Sequence, residues 1–102
     1  MRNPPKPDDE PLAAEAIEPL LRGLPRWRLD AGGEAIERTW AVTGLWAAAA
    51  FGSGLASVVE NLGHEATITV TASGVVVALS TTAAGGLTAK DFAVALALEF
   101  GG

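Results

Sequence analysis

His64 is the one histidine in a chain of 102 residues that has no cysteine. An imidazole can both donate and accept a proton near neutral pH, so His64 is the first place to look for acid–base chemistry. It follows an apolar helical pattern, and carbonyl dipoles at a helix C-terminus favour an imidazolium. Glu60 lies one turn earlier and could add a negative partner. The same position also suits a surface histidine that caps the helix. Glu65 comes next, either as a carboxylate that shuttles protons or as a solvated residue ahead of a strand. Asp91 suits a helix cap. Ser80, Thr81 and Thr82 end a predicted strand and carry hydroxyls that could hold a ligand. Only Glu60 and Glu65 stand near His64 as further ligands, so no metal is expected, and no cofactor either. No phosphate-cradling glycine loop or Ser-His-Asp set can be read from the spacing. Trp27, Trp40 and Trp46 read as core residues, one of which could stack on a flat ligand.

The elements that must position these groups have to come from one small core. A chain of 102 residues, 49% hydrophobic, suffices for a single domain. With seven Lys or Arg and a net charge of −5 it has no basic stripe, so direct nucleic-acid binding is not expected. Met1 to Asp8 reads as a disordered tail rich in proline, and residues 9–102 as the domain. No basic, apolar and cleavage-site sequence opens the chain, which points to the cytoplasm.

Charge is absent from Thr39 to Val59 and again from Ala66 to Ala89. The first stretch is long enough for a membrane span. It is nevertheless rich in Ala, Gly, Ser and Thr, starts like a strand and lacks flanking basic clusters, so no membrane is expected. Uncharged faces on so small a domain point instead to another subunit, and a homodimer or homotetramer is expected.

Asp9 can cap a first helix with Pro11 in its first turn, in which Leu12, Ile17, Leu20, Leu21 and Leu24 recur at helical spacing. Pro19 should kink or restart this helix. Trp27–Leu29 and Ala35–Val42 alternate like paired strands around Ala31-Gly32-Gly33. The next helix spans Trp46–Leu62, with Phe51, Leu55, Val58, Val59 and Leu62 on one stripe and Gly63 as its stop. Thr67–Thr71 and Val75–Thr82 form a second hairpin. Thr88 to Asp91 resembles a capping box that opens a last helix to about Phe100. The order α-β-β-α-β-β-α predicts an α+β fold: a four-stranded antiparallel sheet with three helices on one face.

From about Leu12 to Phe100 this pattern resembles the pterin-4a-carbinolamine dehydratase family. The resemblance is carried by Trp27, by Trp40-Ala41-Val42 with Phe51, and by Val59-Glu60-Asn61-Leu62-Gly63-His64. It continues through Leu79-Ser80-Thr81 and Gly86-Leu87-Thr88-Ala89-Lys90-Asp91. It implies the same element order and a reaction that removes water from a 4a-hydroxytetrahydropterin, giving quinonoid dihydropterin. That reaction needs an acid for the leaving hydroxyl and a base for the ring-nitrogen proton.

The resemblance makes His64 and Glu65 the expected catalytic pair. It makes Glu60, Ser80, Thr81, Thr82 and Asp91 the expected substrate-binding residues. Family members carry His-His-Pro where this chain has His64-Glu65-Ala66, and a histidine where it has Thr82. Two of three family histidines are therefore replaced, and reduced activity is expected. The family also implies an alternative, a non-catalytic dimerisation partner or an assembly factor of the kind that assists Rubisco, which would act on a protein partner.

Overall fold

The computed structural model describes residues 10–101, so the expected tail and the Asp9 cap lie outside the described residues. Three helices and four strands follow in the order α1 (Ala14–Arg22), β1 (Arg28–Leu29), β2 (Ile36–Ala41), α2 (Leu45–Asn61), β3 (Ala66–Thr71), β4 (Gly74–Leu79) and α3 (Ala89–Gly101). All strand pairs are antiparallel and the sheet order is β1-β2-β4-β3. The two hairpins therefore join through β2 and β4, and β1 and β3 are the edges.

The register explains why this sheet has one greasy face. Ala66, Leu79, Ile36 and Leu29 form one cross-strand row. Ile68, Val77 and Arg38 form the next, and Val70, Val75 and Trp40 the third. Alternate residues fall on the opposite face: Thr67, Thr69 and Thr71 on β3, with Glu37, Thr39 and Ala41 on β2. The apolar members of the first set other than the exposed Leu29 pack under the helices with Leu55, Val59, Phe92, Val94 and Leu98. The edge-on pair Trp27 and Trp40, with ring centroids 6.0 Å apart, closes one side, and Phe51 lies 5.9 Å from Trp40.

Arg38 is the exception in the apolar rows. Its guanidinium stacks 4.3 Å over the Trp40 ring and pairs with Glu99 of α3, which also accepts the Trp27 Nε1–H at 2.8 Å. One carboxylate thereby ties the last helix to β2 and to the loop before β1. Gly74 marks another close approach. A Cβ there would lie 2.3 Å from the Trp40 carbonyl oxygen, so only glycine lets β4 start against β2.

Four local expectations are corrected. Trp46 lies on the surface, 84% exposed, and only Trp27 and Trp40 serve the core. Pro19 does not restart α1, which continues through it from Ala14 to Arg22. That helix starts after Pro11, with Ala13 as its N-cap. Finally, β4 stops at Leu79, because its partners on both sides end at Ile36 and Ala66. Ser80 and Thr81 are therefore loop, and Thr82 opens a short 3-10 turn that runs to Ala84.

Candidate functional site

The end of α2 sets the position of His64. Gly63 adopts a left-handed φ of 66°, which reverses the chain without a Cβ penalty. The Gly63 N–H then bonds the Glu60 carbonyl at 3.0 Å, and the His64 N–H bonds the Val59 carbonyl at 3.3 Å. This double bond pattern is the Schellman motif, and it satisfies two carbonyls that the helix would otherwise leave unpaired. It also turns the His64 side chain inward, leaving it only 5% exposed.

The start of α3 sets the position of Asp91. Asp91 stands three residues after Thr88, and its Oδ2 accepts the Thr88 N–H at 2.9 Å, one half of a capping box. The Thr88 hydroxyl does not make the reciprocal bond but lies 3.1 Å from the Thr81 hydroxyl. Asp91 is fully buried. Its Oδ2 also accepts the Thr81 hydroxyl at 2.8 Å, and its Oδ1 lies 2.5 Å from His64 Nε2. A carboxylate is an acceptor, so Nε2 carries the proton in this pair. Among the described residues Nδ1 has no hydrogen-bond partner, and it is not sealed from solvent. The imidazole is thus fixed through one nitrogen and open through the other.

Beside the ring lies a hollow of about 340 Å³, lined by Glu60, His64 and Glu65 over Val59, Ala66 and Ile68. That volume falls in the range of about 300–1,000 Å³ usual for small-molecule sites. Glu60 borders this hollow with His64, but the carboxylate bonded to the imidazole is that of Asp91. Glu65 is engaged elsewhere. Its Oε1 accepts the Thr82 N–H at 2.5 Å, and the Thr82 hydroxyl lies 3.0 and 3.1 Å from its two oxygens. On the far side of Thr82 a second hollow of about 280 Å³ is bordered by Ser80, Thr81, Thr82, Asp30 and Glu34.

The structure therefore gathers His64, Thr81 and Asp91 into one hydrogen-bonded group and joins Glu65 to Thr82. Glu60 lies across the first hollow and Ser80 on the second. Thr88 is the one member that the sequence reading left out of the site. Its place at the cap of α3, three residues before Asp91, was the available signal. No group of three or more potential metal ligands occurs among the described residues.

A buried carboxylate thus holds an imidazole at the end of the central helix, beside an open four-stranded antiparallel sheet of an α+β fold. A sequence profile for pterin 4 alpha carbinolamine dehydratase matches residues 10–100, and this chain belongs to that family. A relative from Acidobacterium capsulatum, named for the same family, is 40% identical over 88 residues, covering 86% of this chain and 94% of its own. Another from Streptomyces avermitilis is 37% identical over 91 residues, 88% of each chain. The fold is also that of a transcriptional coactivator/pterin dehydratase from Brucella melitensis, whose crystal structure superposes with a TM-score of 0.78. It shares 26% identity and covers 91% of this chain and 100% of its own.

Proposed function

We propose that this chain dehydrates a 4a-hydroxytetrahydropterin in the hollow beside His64, more slowly than relatives with three histidines. One observation carries the reading. A buried carboxylate holds His64 at Nε2, and His64 borders a hollow of ligand size. In this reading the imidazolium gives its Nδ1 proton to the departing hydroxyl, which leaves as water, and the neutral ring then takes the pterin ring-nitrogen proton back at Nδ1. The Asp91 carboxylate holds the Nε2–H throughout and steadies the ring as its charge changes. Glu60 lines the same hollow, and in this reading its carboxylate accepts from the N–H groups of the pterin ring. Thr81 acts through Asp91, and Ser80 and Thr82 border the approach from the second hollow.

The test is dehydration of a chemically generated carbinolamine, followed by absorbance, with wild type and His64→Ala. The substitution should lower the catalysed rate by roughly a hundredfold, the usual size of a positioned acid–base group. Equal rates above the uncatalysed background would remove His64 from the chemistry.

A second reading is favoured by the surface. Trp46 and Phe100 are 84% and 85% exposed, and Leu45 and Leu96 are exposed as well. The chain then acts by holding a protein partner, with or without turnover. Titration with a reduced pterin analogue, read by tryptophan fluorescence, separates the two. Saturation supports the pterin site, and no binding at millimolar ligand supports the scaffold. In either reading the chain forms a homodimer or homotetramer, because the edge strand β3 carries no charge or proline to block pairing.

A further inference from the structure

Both oxygens of Glu65 already face Thr82, and the proton steps of the proposed mechanism fall to His64. The ladder between β3 and β4 ends at the pair Ala66 and Leu79. Beyond that rung, residues 64–65 and 80–82 run on with no backbone pairing between them. These are the segments that carry His64 on one side and Thr81 on the other. The Glu65 side chain reaches across the gap and takes the first N–H of the 3-10 turn. It does by side chain what a further rung would do by backbone.

We infer that Glu65 is a positioning residue: with Thr82 it forms a clasp that holds the Ser80–Thr82 segment against His64. The geometry is a closed ring. Glu65 is the chain neighbour of His64 and bonds Thr82. Thr82 is the chain neighbour of Thr81, which bonds Asp91, and Asp91 returns to His64. Two carboxylates bridge two pairs of adjacent residues. With the clasp cut, the side-chain link between the two segments runs through Asp91 alone, and Thr81 is held only by its hydroxyl bonds to Asp91 and Thr88. The clasp also separates the two hollows, since Glu65 lines one and Thr82 the other. A glutamine can make the same contacts, accepting the Thr82 N–H through its carbonyl oxygen and offering its amide to the hydroxyl. It cannot take a proton as a base.

The catalytic part of this role rests on the proposed dehydratase reading, whereas the positioning itself does not. The experiment therefore reads His64 directly. Because the chain has one histidine, its imidazole gives a single set of long-range proton–nitrogen correlations. In wild type these show the proton on Nε2, in slow exchange. Glu65→Gln keeps that pattern, with kcat within about threefold of wild type. Glu65→Ala exposes the ring to mixed tautomers and faster exchange, and kcat falls roughly tenfold or more, as expected for a reactive group displaced from its working position. Thr82→Val, which deletes the hydroxyl but keeps the N–H, falls between the two.

A His64 pattern unchanged in both Glu65→Ala and Thr82→Val overturns the clasp. So does a Glu65→Gln protein that behaves like Glu65→Ala, since that marks a carboxylate needed for its charge or basicity. Absence of turnover in wild type with the imidazole pattern as described refutes the dehydratase reading and leaves the clasp standing.

Discussion

Asp91 offers the sharpest test of the site, because its two oxygens serve three donors at full burial. Asp91→Ala strands the Thr88 N–H and His64 Nε2, while the Thr81 hydroxyl can still turn to Thr88 at 3.1 Å. Loss of the helix-cap bond costs about 1 kcal/mol. A buried donor left without its charged partner costs about 1.5–3 kcal/mol. Together the loss is about 2.5–4 kcal/mol. For a domain near 100 residues that lowers Tm by about 10–30 °C.

Asp91→Asn changes the chemistry without removing the shape. Its carbonyl oxygen best serves Thr88 and Thr81, which places the amide NH₂ against Nε2. Two donors cannot face each other, so the imidazole must move its proton to Nδ1. The cost is smaller, about 1–2 kcal/mol, since the bond count is kept and only the charge assistance is lost. Urea unfolding followed by tryptophan fluorescence measures both stabilities, and the nitrogen shifts of His64 report the tautomer. An Asp91→Ala protein within about 1 kcal/mol of wild type would refute the reasoning. So would an Asp91→Asn protein whose imidazole keeps its proton on Nε2.

Three further outcomes follow from other parts of the structure. Gly74→Ala drives a Cβ to 2.3 Å from the Trp40 carbonyl oxygen, so the β2–β4 pair must shift. The stability loss should exceed about 3 kcal/mol, seen as a collapse of the urea midpoint. Glu99→Ala removes the shared partner of Arg38 and Trp27, whose Arg38 side chain is only 10% exposed. The expected loss is about 2–4 kcal/mol, with a red shift of the Trp27 emission, because a mostly buried guanidinium is left unpaired. Light scattering at micromolar concentration should give a dimeric or tetrameric mass, and a monomer would contradict the reading of the uncharged β3 edge.

The sequence was legible wherever a local rule acted alone. The period of two in Thr67–Thr71 marked a half-buried strand, and its threonines face out as the pattern required. Gly63 marked the end of α2 because only a left-handed residue closes that motif cheaply. Legibility failed where the outcome depended on what another element offered. Trp46 looks like core by type, yet among the described residues no element covers it, and it is 84% exposed. The strand expected to reach Thr82 stops at Leu79 because its neighbours stop there. Glu60 was the partner expected for His64 by spacing on one helix. The residue that binds the imidazole is 27 positions away, brought in by the docking of α3. Asp91 was readable as a cap, and its second oxygen was the part no local rule could assign.

That docking gives the site a kinetic character of its own. Asp91 belongs to the first turn of the last helix, so the grip on His64 exists only while α3 is seated. The sheet does not need α3 for its ladders, and sub-global openings of a terminal helix commonly precede global unfolding. Each such opening would free the imidazole while leaving every strand in register. Amide exchange along Phe92 to Leu98 would then count the moments at which the sheet is folded but His64 has lost its carboxylate.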